Sequence, residues 1–299
     1  MAKTGAIQNS RVDNFFYGVV WFLSILTFII VAYPLWYAFV CSFDANIYST
    51  SIKILPEEFS LYGYEAIFQY QKVWTGYRNS LIYTAVGTLL SLVVTICAAY
   101  PLSRRDLKGR RTLTILFGFT MYFSGGLIPT YLLVANLKMI DTIWAMVLPN
   151  LVSVYNMIVM RTFFQSTIPD DLREASQIDG CGNIRFLLSI LLPLSTPILA
   201  VISMYYAIDQ WNGYFSALIY LNSENMQPLQ MVLREILVNN QIDSNMIADY
   251  DPEVASQLMR MQEIMKYSLI IVASVPMLMV YPFVQRYFVR GVMIGAIKG

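Results

Sequence analysis

The chain has 299 residues, 57% of them hydrophobic and only 13% charged, with a net charge of +1 and a mean hydropathy of +0.54. Soluble domains carry about 25% charged residues, so this chain cannot coat a core with polar side chains and must use lipid as part of its solvent. The absence of histidine excludes Ser-His-Asp, Cys-His and histidine–metal chemistry, three scattered cysteines (Cys41, Cys97, Cys181) fit no disulfide framework or zinc knuckle, and the charge gives no bulk attraction to nucleic acid.

A membrane span needs about 20 apolar residues in a helix. In chain order the uncharged runs are Asn14–Phe43, Asn79–Ser103, Thr112–Leu137, Thr142–Met160, Phe186–Ile208 and Tyr267–Gln285. These predict an all-α integral membrane protein with six transmembrane helices. The first run is too long for the apolar core of a signal peptide and lacks a small-residue cleavage site, so it is expected to stay as an anchor. Positive charge in short loops sets orientation. Five of the eight residues from Arg104 to Arg111 are Lys or Arg, which places that loop in the cytoplasm and, by alternation, both termini with it. Residues 44–78 and 222–266 then lie outside, the second with seven acids against three bases. Within it, Pro228 to Val238 reads as an amphipathic helix. Prolines within the spans, among them Pro34, Pro129, Pro149, Pro193 and Pro197, are expected to kink them.

The inner segment at residues 162–186 is neither lipid-soluble nor a plain tether. Pro169 followed by Asp170 and Asp171 is a helix start, because proline presets the first turn and acids suit the positive end of the dipole. A short helix should run to Ile178, stop at Gly180, and give way to a second short turn from Asn183 into the next span. Gly180-Cys181-Gly182 lacks the third glycine and the preceding strand of a dinucleotide fingerprint. No Gly-Lys pair occurs, so no phosphate-wrapping Walker loop is present.

Glu174-Ala175-Ser176, then three residues, Gly180, nine more, Ile190, one more, and Leu192-Pro193 resembles the EAA loop of membrane subunits in binding-protein-dependent ABC importers. Only Ser176, in place of alanine, departs from the pattern. The resemblance covers residues 79–299. Ser124-Gly-Gly-Leu-Ile-Pro-Thr-Tyr, Met160-Arg-Thr-Phe-Phe-Gln, Ile178-Asp-Gly, Pro193-Leu-Ser-Thr-Pro and the closing Arg290-Gly-Val-Met-Ile-Gly-Ala-Ile-Lys-Gly are similar to the carbohydrate-uptake branch, nearest the permeases for complex oligosaccharides and polysaccharide fragments.

The resemblance implies the type I importer permease fold in a bacterial plasma membrane. Residues 1–78 would hold the tail, first span and an outer loop, residues 79–290 the permease core, and residues 291–299 a cytoplasmic tail. The EAA segment would be a coupling helix, with Glu174, Ala175, Ser176, Asp179, Gly180, Cys181 and Gly182 docking an ATPase. Gly291, Gly295 and Lys298 would carry the tail to the ATPase subunits, because Val292, Met293 and Ile294 would otherwise be exposed. Implied partners are a second permease, two ATPase subunits that hold the ATP and Mg, an external solute-binding protein met by the outer loop, a carbohydrate, and membrane lipid.

Polar and aromatic side chains inside spans need a cavity or a partner. Asp209, Gln210, Trp211, Asn212 and Tyr214, with Tyr205 and Tyr206 a turn earlier, are the residue types that stack on sugars and bind hydroxyls. Tyr122, Asn150, Tyr155 and Asn156 are further candidates for the same pathway. A straight helix would carry Asp209 about 33 Å from Leu187, to the outer interface, where an aromatic belt is the competing explanation. An ion-coupled carrier, a permease for a non-sugar solute and an intramembrane hydrolase are the other classes. The first has only Asp209 to support it, and the last lacks a histidine.

Overall fold

A computed structural model of the chain describes residues 10–46, 53–242 and 252–296. Helices account for its regular structure: α1 (Arg11–Cys41), α2 (Tyr62–Gln69), α3 (Gln71–Ser103), α4 (Arg110–Tyr122), α5 (Leu127–Asn136), α6 (Ile143–Val147), α7 (Val154–Thr167) and α8 (Asp170–Ile178). They continue with α9 (Asn183–Phe186), a π-helical turn at Leu187–Leu191, α10 (Leu192–Leu194), α11 (Thr196–Trp211), α12 (Tyr214–Tyr220), α13 (Leu229–Ile242) and α14 (Pro252–Ala296). Among the described residues the only β-pairing is one isolated antiparallel bridge, Asp44 with Phe59.

Among the described residues three single helices are long and apolar enough to cross a membrane: Val12–Cys41, Gln71–Ser103 and Glu263–Gln285. Two sharply bent helix pairs reach that length and hydropathy only when taken together, α4 with α5 at 106° and Asn183–Leu194 with α11 at 84°, the form of a broken span or a re-entrant loop. The first bend falls at Ser124-Gly125-Gly126, where Gly126 has φ +85°, a left-handed conformation that interrupts the helix. The second follows from two prolines. Pro197 has no N–H to give the carbonyl of Pro193, four residues earlier, and the Thr196 hydroxyl bonds that carbonyl instead at 2.7 Å. The straight-helix estimate for Asp209 is corrected accordingly. The run at residues 142–160, expected as one span, is split into α6 and α7 around Pro149.

The ends of the spans also differ from the charge-free runs. Helix α3 starts at Gln71 rather than near Asn79, and α14 starts at Pro252 rather than near Tyr267. A helix needs apolar faces only where lipid surrounds it, so both continue through charged residues beyond the hydrocarbon. At its other end α14 runs through Gly291 and Gly295 to Ala296, so the segment expected as a separate tail continues the helix. Two glycines cost a helix only about 1 kcal/mol each. Lys298 lies outside the described residues.

The chain divides into two compact units, residues 1–69 with 236–272, and residues 70–235 with 273–299. In the first, α1 opens on a Ser10–Asp13 capping box and presents apolar side chains such as Phe15, Trp21, Phe28 and Leu35 outward. Gly63 of α2 seats against Ser268 and Ile264 of α14. The Ser268 hydroxyl in turn donates to the carbonyl of Ser42 at 3.2 Å.

In the second unit α3 packs against α7 and α11. Its buried positions Gly87, Ser91, Thr95 and Ala99 recur every four residues, a stripe of small side chains that lets helix backbones approach closely. In lipid such packing substitutes for the missing hydrophobic drive. Met157, Met160 and Phe164 of α7, Ile202 and Tyr206 of α11, and Phe186 and Leu191 complete this core.

Candidate functional site

Helix α8 forms where the sequence predicts. Pro169 stands just before its first residue, Asp170 and Asp171 occupy the first turn, and Asp179 caps its end. Gly180 follows at φ +74°. Its N–H donates to the carbonyl of Gln177 at 3.0 Å, and the Cys181 N–H donates to that of Ser176 at 2.8 Å. This is a full Schellman stop, which a side chain at Gly180 would strain. The Ser176 hydroxyl donates to the Arg173 carbonyl at 2.7 Å and is buried, so serine is accommodated where the family pattern has alanine. Glu174, Ala175, Asp179 and Gly182 are exposed and Cys181 is half-buried. Ile178 and Ile184 are 87% and 75% exposed, leaving an apolar, charged-edged surface that none of the described residues covers.

What holds α8 in place escaped the sequence reading. Asp106 Oδ1, in the turn between α3 and α4, accepts from Arg104 Nε and from Arg173 Nη1 of α8, both at 2.9 Å. Arg104 also donates to Asn183 Oδ1 at the start of α9, and Arg105 pairs with Asp170 at 3.2 Å. The Arg104 guanidinium, aided by that of Arg173, holds the Asp106 carboxyl well below the usual carboxylate range. The signal was present as the charge-dense Arg104–Arg111 stretch, which alone suggests only orientation.

A second cluster lies among α6, α7, α11 and α12. A cavity of about 310 Å³ is lined by Asn150, Asp209 and Gln210 together with Ser153, Tyr206 and Ser216. Tyr206 is fixed from two sides: its hydroxyl lies 2.6 Å from the Thr95 hydroxyl and accepts the Ser153 N–H at 3.2 Å. Ser153 caps α7 by accepting the Asn156 N–H. Gln210 lies against Gly87, where even a methyl group would come within 2.7 Å of its side chain. The cavity thus offers two amides, a carboxylate and hydroxyls in a small cleft, the groups that pair with sugar hydroxyls.

The other expected pathway residues lie elsewhere. Trp211 is buried beside Tyr77 at an 80° interplanar angle, and its indole N–H donates to the Ala273 carbonyl at 3.1 Å. It faces neither this cavity nor solvent, so it belongs to no interfacial belt. Asn156 is buried, and Asn212, Tyr214, Tyr205, Tyr155 and the 80% exposed Tyr122 do not line the cavity. Ser153 and Ser216 were missed. The signal for Ser153 was its place as a helix N-cap.

Outside the spans, Asp44 and Lys53 form an ion pair at 2.6 Å with both side chains essentially buried. Burial alone would raise the Asp44 carboxyl, but the Lys53 ammonium and the N–H groups of Asn46, Glu57 and Glu58 hold it below the usual value.

The chain matches the model for the binding-protein-dependent transport system inner membrane component over residues 1–294. It is 38% identical over 295 residues to the polygalacturonan/rhamnogalacturonan transport system permease protein YtcP of Bacillus subtilis, covering 98% of this chain and 100% of that protein. It is 37% identical over 268 residues to the protein LplC of the same organism, covering 89% of each. A crystal structure of a bacterial ABC transporter involved in import of the acidic polysaccharide alginate contains a chain that superposes with a TM-score of 0.83 at 30% identity, covering 95% of this chain and all of that one. With this fold, these apolar spans and similarity along nearly its whole length, the chain belongs to the family of inner membrane components of binding-protein-dependent transport systems, the non-catalytic permease subunits of ABC importers.

Proposed function

We propose that this chain forms, with a second permease, the path by which an oligosaccharide or polysaccharide fragment crosses the bacterial plasma membrane after delivery by an external solute-binding protein. Two ATPase subunits energise the step and hold the ATP and Mg, while this chain contributes neither site. Its termini are cytoplasmic, in keeping with the five Lys and Arg residues between Arg104 and Arg111.

The observation that carries the reading is α8. It is short, exposed, stopped by a rigid turn and tied through Asp106 to the end of α3, so a push on it moves a span. Glu174 would meet a cationic group of the ATPase, with Ala175 and Ser176 allowing close approach. Gly180, Cys181 and Gly182 would hold the turn that follows Asp179, and the end of α14 with Gly291, Gly295 and Lys298 would reach the ATPase pair. The substrate class rests on the similarity to YtcP and to the alginate importer. The cavity bounded by Asn150, Asp209 and Gln210 is the proposed stretch of pathway.

Reversing charge at Glu174 tests the coupling role. In membranes carrying the assembled transporter, Glu174→Lys should reduce ATP-driven uptake at least tenfold, by about the 1.4 kcal/mol or more that a charge-assisted contact is worth, and release the ATPase from the membrane fraction. Binding of sugar to the solute-binding protein should be unchanged. Normal uptake by that variant would remove α8 from the coupling path.

A further inference from the structure

A second cavity, of about 470 Å³, opens where α3 ends and α4 begins, and it does not belong to the pathway cluster. Four arginines line it: Arg104, Arg105, Arg110 and Arg173. Among the described residues two carboxylates answer them. Asp106 is shared between Arg104 and Arg173, and Asp170 takes Arg105. Arg110 has no carboxylate partner among the described residues; its guanidinium donates to the backbone carbonyl of Arg104 at 3.3 Å. The Nε–H of Arg173 is buried and has no hydrogen-bond partner among the described residues. The cavity therefore presents surplus positive charge and, at Arg110, a forked donor committed to no carboxylate among the described residues, the combination that grips a phosphate group.

The remaining wall separates the sources of such a group. Ile168 and Pro169 line the same cavity and remain accessible, an apolar surface that gives an inorganic anion nothing but suits glycerol and the first carbons of an acyl chain. Ser103, the last residue of one apolar helix, and Arg110, the first of the next, put the cavity at the level where hydrocarbon gives way to headgroups. We propose that it binds the phosphate of an anionic phospholipid headgroup, with Arg110 as the principal donor. Occupancy bears on α8 directly, because Arg173 belongs to that helix and shares Asp106 with Arg104.

The test uses the full chain in detergent, with dioctanoyl phosphatidylglycerol added and bound lipid counted by native mass spectrometry. Saturable binding is expected, weakened about tenfold by Arg110→Gln, which removes one charge-assisted contact. Arg111→Gln, the same charge loss outside the cavity lining, should stay within about twofold. Arg110→Lys, keeping the charge without the fork, should fall between the two. Dioctanoyl phosphatidylcholine, with no net charge, should compete poorly. Equal losses for Arg110→Gln and Arg111→Gln, or no saturable binding, would overturn the site. Inorganic phosphate that binds with the same Arg110 dependence while the lipid does not would overturn the lipid assignment.

Discussion

A carboxylate that accepts from two guanidinium groups at once is both hard to protonate and hard to replace. Asp106 is such a group, with Arg104 and Arg173 as donors. Its folded-state pKa is depressed, so its contribution is fully present above the unfolded value of about 3.9 and disappears only as pH falls through the lower folded value. A spin label at position 178 should therefore report the same restricted motion of α8 from neutral pH down to about pH 4. Asp106→Asn should free the label at every pH and reduce uptake several-fold without loss of membrane insertion. Unchanged mobility in that variant would show that α8 is held by other contacts. The buried pair Asp44–Lys53 follows a different rule. Removing the ammonium strands a carboxylate in a site where it is about 0% exposed, so Lys53→Met should destabilise by roughly 3–5 kcal/mol. Lys53→Met paired with Asp44→Asn, which removes the stranded charge and keeps an acceptor for the Asn46, Glu57 and Glu58 N–H groups, should recover part of that in a thermal melt, and a double variant as unstable as the single one would refute the argument.

At the scale of elements, α11 separates two jobs along a single turn. Trp211 is 2% exposed and bonded to Ala273, whereas its neighbour Gln210 lines the cavity. Trp211→Ala should lower stability by about 3–5 kcal/mol with substrate preference intact among the molecules that assemble. Gln210→Ala and Asn150→Ala should melt within about 1 kcal/mol of the parent, as substitutions of half-exposed polar groups usually do, yet shift the preference between sugars in competition uptake. The opposite pattern would place the pathway on the Trp211 side. The residue types in this helix were legible in the sequence, but which of them share a wall was not. That depends on the break created by Pro193 and Pro197 and on the small-residue stripe of α3, Gly87, Ser91, Thr95 and Ala99. Helix α8 was legible down to its stop, because proline, first-turn acids and a left-handed glycine act locally. The Asp106 tether was not, since it joins residues 67 apart in the chain.

For the whole molecule, apolar runs identify the membrane class and the approximate spans, but they do not show where a span is bent. Thr112–Leu137 and Phe186–Ile208 read as uninterrupted lipid-soluble runs, while backbone chemistry at Gly126 and around Pro193 and Pro197 folds each over. Bent spans leave polar backbone and side chains inside the helix bundle, tolerated where they border a cavity or neighbouring protein. The permease family was legible through Glu174, Gly180, Ile190 and Leu192-Pro193, whose spacing depends on local geometry. Reconstitution with the second permease, the ATPase pair and the solute-binding protein addresses the central claim most directly. Proteoliposomes should accumulate an oligogalacturonide or related fragment only when ATP is enclosed and the binding protein is present, and an imposed proton or sodium gradient should neither replace ATP nor be required. Uptake driven by an ion gradient alone, without ATP or the binding protein, would contradict the account.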